Sequence, residues 1–521
     1  MMMERYRKLW TPFAAVIVGL ASYLRFIDLE LKPLHHDEGV NGFFLETLHR
    51  SGIYRYDPSN YHGPDLYYFA LLFTKTLGLS TTSIRLSVAV FGVLTVILAL
   101  MLRHRIGDTA SLVTALFLAV SPGMVFISRY FIHEMLFVFF SLAIVVAMSS
   151  FFKSHEKSRF GKYGAVIAVA TAAMLFATKE TAFITLGTLI ISCCSVVIWE
   201  KIRGVHPASS ELSLETFKQL VDRGLGWRNT ILLCVLSFSY LTVIFFSSFF
   251  THWSGVVDFF RAYAFWTKTG TGDHAGNGLF AYIGWAWTIE TAILLISVAG
   301  AVYALYRANN RFMMFTAFWS FGLLAAYTII PYKTPWLMLS FILPMCILSG
   351  QFLAELLDRT GSPLRLFGAV IWVIGFSSLY YQTNELNFVR FDDDAMPYVY
   401  AHTKRGITEL NREVARYAEA SDKKQDLKID IVSPDYWPLP WYLKDFDGAV
   451  FNGKFVKDSK ADLIIAKQGF KEDELMRLYR AQFKYVGRYP LRPGVDLYLL
   501  ARRDIALPET VELNEALRKA Q

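Results

Sequence analysis

Long apolar runs separated by short polar stretches set the pattern of residues 1–383, and a mixed, charged pattern takes over from about Asn384. A helix that crosses the hydrocarbon of a membrane takes roughly 20 mostly apolar residues. Runs of that kind fall at 11–29, 84–102, 109–127, 134–152, 163–179, 181–199, 229–250, 280–305, 312–330, 337–357 and 364–382. The pattern predicts about eleven transmembrane helices. Two further stretches are helical but too short or too polar to cross. One runs from Asp37 to Arg50 with Gly52 as a stop signal, the other from Asp65 to Gly78 after Gly63-Pro64. Both are predicted to lie along the membrane surface.

Beyond residue 384 the apolar runs are too short to span. Alternation predicts strands at 427–432, 461–466 and 495–500, and amphipathic periodicity predicts helices at 407–420 and 472–483. The chain therefore reads as a mainly α polytopic membrane domain, 1–383, with loop helices over about 37–78, followed by a soluble α/β domain, 384–521.

Composition agrees. In 521 residues, 54% hydrophobic and 16% aromatic content with 18% charged is too apolar for a soluble protein. The net charge of +8 does not indicate nucleic acid, because Lys and Arg cluster in the short links between apolar runs. They are denser in 1–10, 103–108, 153–162, 200–228, 307–311 and 358–365 than in the alternate links. The positive-inside rule then puts the amino terminus inside and, with an odd span count, the C-terminal domain outside. The basic start with the run after it reads as a retained first span, since no small-residue cleavage site follows. Cys193, Cys194, Cys234 and Cys346 lie inside apolar runs without metal-ligand spacing, so no disulfide framework or zinc site is indicated.

On this topology the unusual polar residues collect on the outer side. The first and densest group is His35-His36-Asp37-Glu38 after the first span. Asp37 is a candidate general base, and the adjacent Glu38 raises its proton affinity by like-charge repulsion or serves as a ligand. The plainer reading is that Asp37 caps the helix that follows it. Glu134, Arg129 and the Lys179-Glu180 pair sit at ends of spans, where interface anchoring and salt bridging are the plainer readings. Lys333, between Pro331 and Pro335, has a stiffened position from which to meet an anion. His36, His252, Asp258 and His274 are candidate ligands for a divalent metal ion, although scattered loop residues are more often solvated.

His36-Asp37-Glu38-Gly39, His62-Gly63-Pro64, Ile84-Arg85-Leu86, Ser121-Pro122, Arg129, Glu134-Met135-Leu136 and Lys179-Glu180 together resemble the GT-C class of membrane glycosyltransferases. The resemblance is to relatives of protein O-mannosyltransferase and of the lipid A aminoarabinose transferase. Pro331-Tyr332-Lys333-Thr334-Pro335-Trp336 and Pro434-Asp435-Tyr436-Trp437-Pro438 resemble a bacterial and archaeal subfamily that carries a flippase-associated label. It covers the first 200 residues well and the later spans loosely. It implies an enzyme that transfers a sugar, with inversion, from a polyprenyl-phosphate carrier such as undecaprenyl phosphate to a protein, lipid or glycan hydroxyl on the outer face of the cytoplasmic membrane. It also implies that Asp37 is the base, Glu134 a second acidic residue and Arg129 a phosphate ligand. The carrier phosphate is expected to depart toward Lys333, Arg129 and Lys179, with His62 a further candidate contact. Related enzymes often carry Lys-Pro-Pro where this chain has His62-Gly63-Pro64. The rival class, a lipid or sugar transporter, predicts charges at mid-span and inverted repeats; here the charges crowd one surface and no repeat is visible.

Overall fold

The computed structural model describes residues 2–60, 62–154, 159–205, 214–272, 277–399 and 401–520. The chain divides into two compact units. The first comprises Met1–Leu29 and Thr47–Arg390, the second Glu30–Glu46 and Phe391–Gln521. The second unit begins beyond 384 because the helix Pro363–Asn384 runs on through a π-turn, Glu385–Val389. It also takes in 30–46, which hydrophobicity alone assigns to the membrane part.

In the first unit, among the described residues, eight helices are long and apolar enough to cross a membrane. Two bent pairs, Asp108–Val120 with Pro122–Ser128 and Ala281–Ile289 with Thr291–Arg307, add two broken runs. A shorter apolar helix, Gly164–Thr178, completes the set. Each of the eleven apolar runs in the sequence thus falls on one of these elements. The stretch Asp65–Leu77 is a 13-residue helix that ends at Gly78, whose φ of 84° only glycine adopts readily.

The helix Leu339–Leu357 is buried along most of its length and packs against Asp108–Val120, Thr291–Arg307 and Arg311–Ile329. Close approach relies on small residues, as is common between helices in lipid. A Cβ on Gly350 would lie 2.1 Å from Thr114 Oγ1. The helices Trp227–Phe246 and Pro363–Asn384 instead expose Ile231, Val235, Leu366, Phe367 and Ile374, which suits contact with lipid chains.

A break inside an apolar run strands backbone groups that lipid cannot satisfy. The first break, bent by 59°, is satisfied by side chains from other helices. Arg25, 1% exposed, donates to the carbonyls of Leu118 (2.9 Å) and Ala119 (3.0 Å). Thr383 Oγ1 donates to Val120 O at 2.5 Å, and Asn387 Nδ2 to Pro122 O at 3.3 Å. Past the break, Ser121 caps the next helix and Pro122 occupies its first turn.

The second unit is built on a six-stranded sheet: β1 Ile429–Ile431, β2 Ala449–Phe451, β3 Leu463–Lys467, β4 Phe483–Arg492, β5 Val495–Arg502 and β6 Val511–Glu512. The order is β2-β1-β3-β5-β4-β6, with β1 parallel to β2 and β3 and the other pairings antiparallel. Alternate side chains go to opposite faces. Ile429, Ile431, Leu463, Ile465, Leu497 and Leu499 share one core with the helix Gly406–Ala420. Ile464, Ala466, Tyr498 and Leu500 share the other with Glu472–Tyr479 and Leu513–Ala520.

The predicted helix over 472–483 stops at Tyr479, because Phe483 opens β4. That strand was concealed by Gly487 and Pro490, residues that disfavour strands. Register shifts between Tyr485 and Gly487 and between Pro490 and Arg492 accommodate them.

Candidate active site

The polar stretch after the first helix belongs to the second unit and starts the helix His36–Ser51. Its two acidic residues have different tasks. Glu38, fully buried, accepts the His35 N–H through Oε2 at 3.0 Å. His35 Nδ1 in turn accepts the Asp37 N–H at 3.1 Å. Glu38 makes the return bond of a capping box, and the His35 imidazole caps the second helical N–H in place of a hydroxyl. Glu38 is therefore engaged by the helix end. The carboxylate of Asp37 remains 41% exposed, with His35 Nδ1 at 3.7 Å from Oδ2. It projects at a helix N-terminus, where the backbone dipole favours negative charge. So capping, the plainer reading of Asp37, is done by its neighbours.

The same segment is fastened to the α/β unit. Leu34 N–H donates to Tyr442 Oη at 2.9 Å, and a Cβ on Gly39 would lie 2.4 Å from that of Pro438. Only glycine permits that approach.

In the first unit, His62-Gly63-Pro64-Asp65 is stitched to the turn at 178–180. Gly63 N–H donates to Thr178 O at 3.0 Å, and a Cβ there would fall 1.8 Å from Ala177 O. Thr178 Oγ1 donates to Asp65 Oδ2 at 2.6 Å, and burial pushes the Asp65 carboxyl well above the usual range against that bond. His133 Nε2 donates to Gly63 O at 3.0 Å.

The ionisable residues then fall into pairs. Lys179 Nζ donates to Glu134 Oε1 at 2.6 Å, both side chains under a tenth exposed. His62 Nδ1 lies 3.0 Å from Glu180 Oε2. His62, Lys179, Glu180, Trp266, Tyr327 and Tyr332 border a small cavity. An ammonium has three donors, so Glu134 leaves two with which Lys179 can meet an anion. Lys179 and His62 thus border one space, with Glu134 bonded to Lys179.

The other candidates do not line this cavity, although Lys333 follows Tyr332, which does. Arg129 donates to the carbonyls of Leu24 (3.2 Å), Ile27 and Asp28 (2.8 Å), and stacks over Phe388. Its fork closes the end of the first helix. Lys333 Nζ donates to Ile330 O at 2.8 Å, and burial lowers its proton affinity. Of the metal candidates, His252 Nε2 lies 2.9 Å from Ser254 Oγ, Asp258 pairs with Arg261 at 2.9 Å, and His36 contacts Arg492. His274 lies outside the described residues. Among the described residues, no group of three or more His, Cys, Asp or Glu could hold a metal ion.

Sequence reasoning passed over Arg25 and Glu290. Glu290 is the lone charge of its apolar run and Arg25 is a charge inside another, a signal that marks a residue with a task. It also passed over Arg492, which has no such signal.

Residues 61–215 match the family model described as dolichyl-phosphate-mannose-protein mannosyltransferase. No curated protein matches the chain in sequence. Among solved structures, the chain is similar to ArnT from Cupriavidus metallidurans in the apo state, with 14% identity over 96% of this chain and 99% of that one and a TM-score of 0.63. The same protein bound to undecaprenyl phosphate gives 14% identity, 96% and 100% coverage and a TM-score of 0.62. Archaeal oligosaccharyltransferase AglB from Archaeoglobus fulgidus, in complex with an inhibitory peptide and a dolichol-phosphate, gives 12% identity over 96% of this chain and 75% of that one, TM-score 0.53.

Proposed function

We propose, from the premise that the chain has the GT-C glycosyltransferase fold, that it is an inverting transferase moving a sugar from a polyprenyl-phosphate carrier to an acceptor hydroxyl. The observation that carries the proposal is the separation of the two acidic neighbours. Glu38 Oε2 accepts at the buried helix end, while the Asp37 carboxylate is 41% exposed, with His35 Nδ1 3.7 Å away. ArnT, solved with undecaprenyl phosphate, supports the carrier class.

In this reading Asp37 takes the proton of the acceptor hydroxyl. The hydroxyl oxygen bonds to the anomeric carbon, and the carbon–oxygen bond to the carrier phosphate breaks with its electron pair going to phosphate. Lys179 and Lys333 stabilise the departing charge, Glu134 holds Lys179, and His62 is held by Glu180. Arg129, spent on the first helix, is assigned a structural role. A base of this kind contributes about 10²–10⁴-fold, and placed cations add to that.

The domains we propose are a membrane transferase domain over 1–383, within which 30–46 groups with the second compact unit, and an extracytoplasmic α/β domain over 384–521. The distribution of basic links supports a site in the cytoplasmic membrane with the amino terminus inside. The test is Asp37→Asn in purified protein, supplied in detergent with radiolabelled polyprenyl-phosphate sugar. A fall of about 100-fold or more is expected. Transfer at the parental rate overturns the assignment, and transport that requires sealed vesicles without donor turnover overturns the class.

A further inference from the structure

The second unit holds a charged network that the transfer step does not use. Asp435, in the loop after β1, accepts from Lys467 Nζ through Oδ2 at 2.7 Å and from Arg492 through Oδ1. Arg492 ends β4, and its other arm, Nη1, lies 3.1 Å from His36 Nδ1. A guanidinium carries only donors. His36 Nδ1 therefore accepts, which fixes its proton on Nε2. The His36 ring also packs 6.2 Å from that of Trp437.

The protonation states agree with this geometry. Burial works against ionisation of Asp435, but the bond from Lys467 and the charge of Arg492 outweigh it and hold the carboxyl below the usual range. Burial, helped by His35 and Arg492 and opposed by Asp37 and Asp435, lowers the proton affinity of His36. The acid stays charged and the imidazole neutral, as the two bonds to Arg492 require.

His36 is the first residue of the helix and Asp37 the next. We propose that Arg492 is a positioning residue for transfer, its fork tying Asp435 to His36 and so setting the direction in which the Asp37 carboxylate points. The α/β unit then supplies the frame that aims the base. Three features argue for aiming over mere stabilisation. Lys467 already neutralises Asp435, so the acid does not need a second cation. The planar fork of arginine fixes two partners at a set angle, which a lysine cannot do. The residue reached by the far arm borders the one exposed carboxylate of the helix start.

The inference rests on Asp37 being the base, and a kinetic cycle separates the two claims. Arg492→Gln, Asp37→Asn and the double variant are compared for transfer in detergent, with folding followed by thermal unfolding. Arg492→Gln is expected to lower kcat by about 10–100-fold, the scale of a small misplacement, with the donor KM within about twofold. On the Asp37→Asn background the same change is expected to cost nothing further, as for residues that act as one unit. His36→Ala cuts the link without touching the Asp435 pair and is expected to match Arg492→Gln. His36→Asn, whose amide oxygen can stand in for Nδ1, is expected to recover most of the loss. Equal losses on both backgrounds, a loss in KM alone, or a parental rate in His36→Ala overturns the proposal for Arg492. A parental rate in Asp37→Asn overturns the base itself.

Discussion

The carboxylate of Glu290 accepts the hydroxyl of Ser121 at 2.8 Å across 169 positions of sequence. The same oxygen accepts the Gly123 N–H at 2.8 Å. Glu290 stands at the break of the pair bent by 114°, Ser121 at the break of the pair bent by 59°, so each broken run helps to satisfy the other. The helix Pro122–Ser128 that starts there leads directly to Arg129 and Glu134. Glu290→Gln keeps an acceptor oxygen and is expected to change stability little. Glu290→Leu strands both donors, at roughly 1–3 kcal/mol each. Thermal unfolding in detergent checks this, and a leucine variant that melts with the parent would show that the two breaks are not joined in this way.

Lys179 and Glu134 form a pair that is sensitive to losing one member. Lys179→Met leaves a buried carboxylate without its cation and is expected to destabilise by about 3–5 kcal/mol. Removing both charges, as Lys179→Met with Glu134→Gln, is expected to cost less than the two single changes together. If Lys179 also meets the carrier phosphate, the double variant recovers stability without recovering donor affinity. A double variant that regains both would assign the pair to stability alone.

The backbone at Gly63 offers a sharper steric test. It donates to Thr178, accepts from His133 and leaves no room for a side chain. Because the obstruction is the Ala177 carbonyl, backbone rather than a flexible side-chain tip, relaxation must move a helix end. Gly63→Ala is expected to displace His62 from Glu180 and to lower both yield and melting temperature. Gly52→Ala, with open space around its Cβ, meets only the strain of φ 76°. It is expected to cost about 1 kcal/mol. Equal effects at the two glycines would contradict the close packing at 63.

The apolar runs were legible because lipid demands a continuous stretch of apolar residues, whatever the tertiary packing. The breaks inside two of those runs were not, since Ser121-Pro122 and Glu290 interrupt the backbone without interrupting hydrophobicity. Asp37 stood out as half of an acidic pair. Which half was occupied depended on a histidine acting as cap, a role no spacing rule assigns. Lys179 and Glu134 were each legible as unusual charges, but their pairing joins positions 45 residues apart. Arg492 is one basic residue among many in a charged domain, and its meaning comes from lying beside both Asp435 and His36.

The network around His36 also predicts how the protein responds to acid. Both His36 and Asp435 have proton affinities below their ordinary values in the folded chain. A depressed group contributes stability that is fully present above its unfolded pKa and is lost as pH falls through the lower folded value. For His36 the loss begins below about pH 6.5, and for Asp435 below about pH 4. Protonated His36 can no longer accept from Arg492, so the aim of Asp37 is lost as pH falls through the folded value of His36. The groups facing His36 are Asp37, His35, Arg492 and Asp435. Asp37 and Asp435 favour its protonation while His35 and Arg492 oppose it; without Arg492 the bond that protonation breaks is already gone, so Arg492→Gln is expected to lose this acid limb along with its rate. His36→Asn is expected to abolish that limb and leave the unfolding step at lower pH, whereas Asp435→Asn is expected to weaken the unfolding step. The measurements are kcat against pH and melting temperature against pH for the three variants. An acid limb unchanged in His36→Asn would place the titrating group elsewhere.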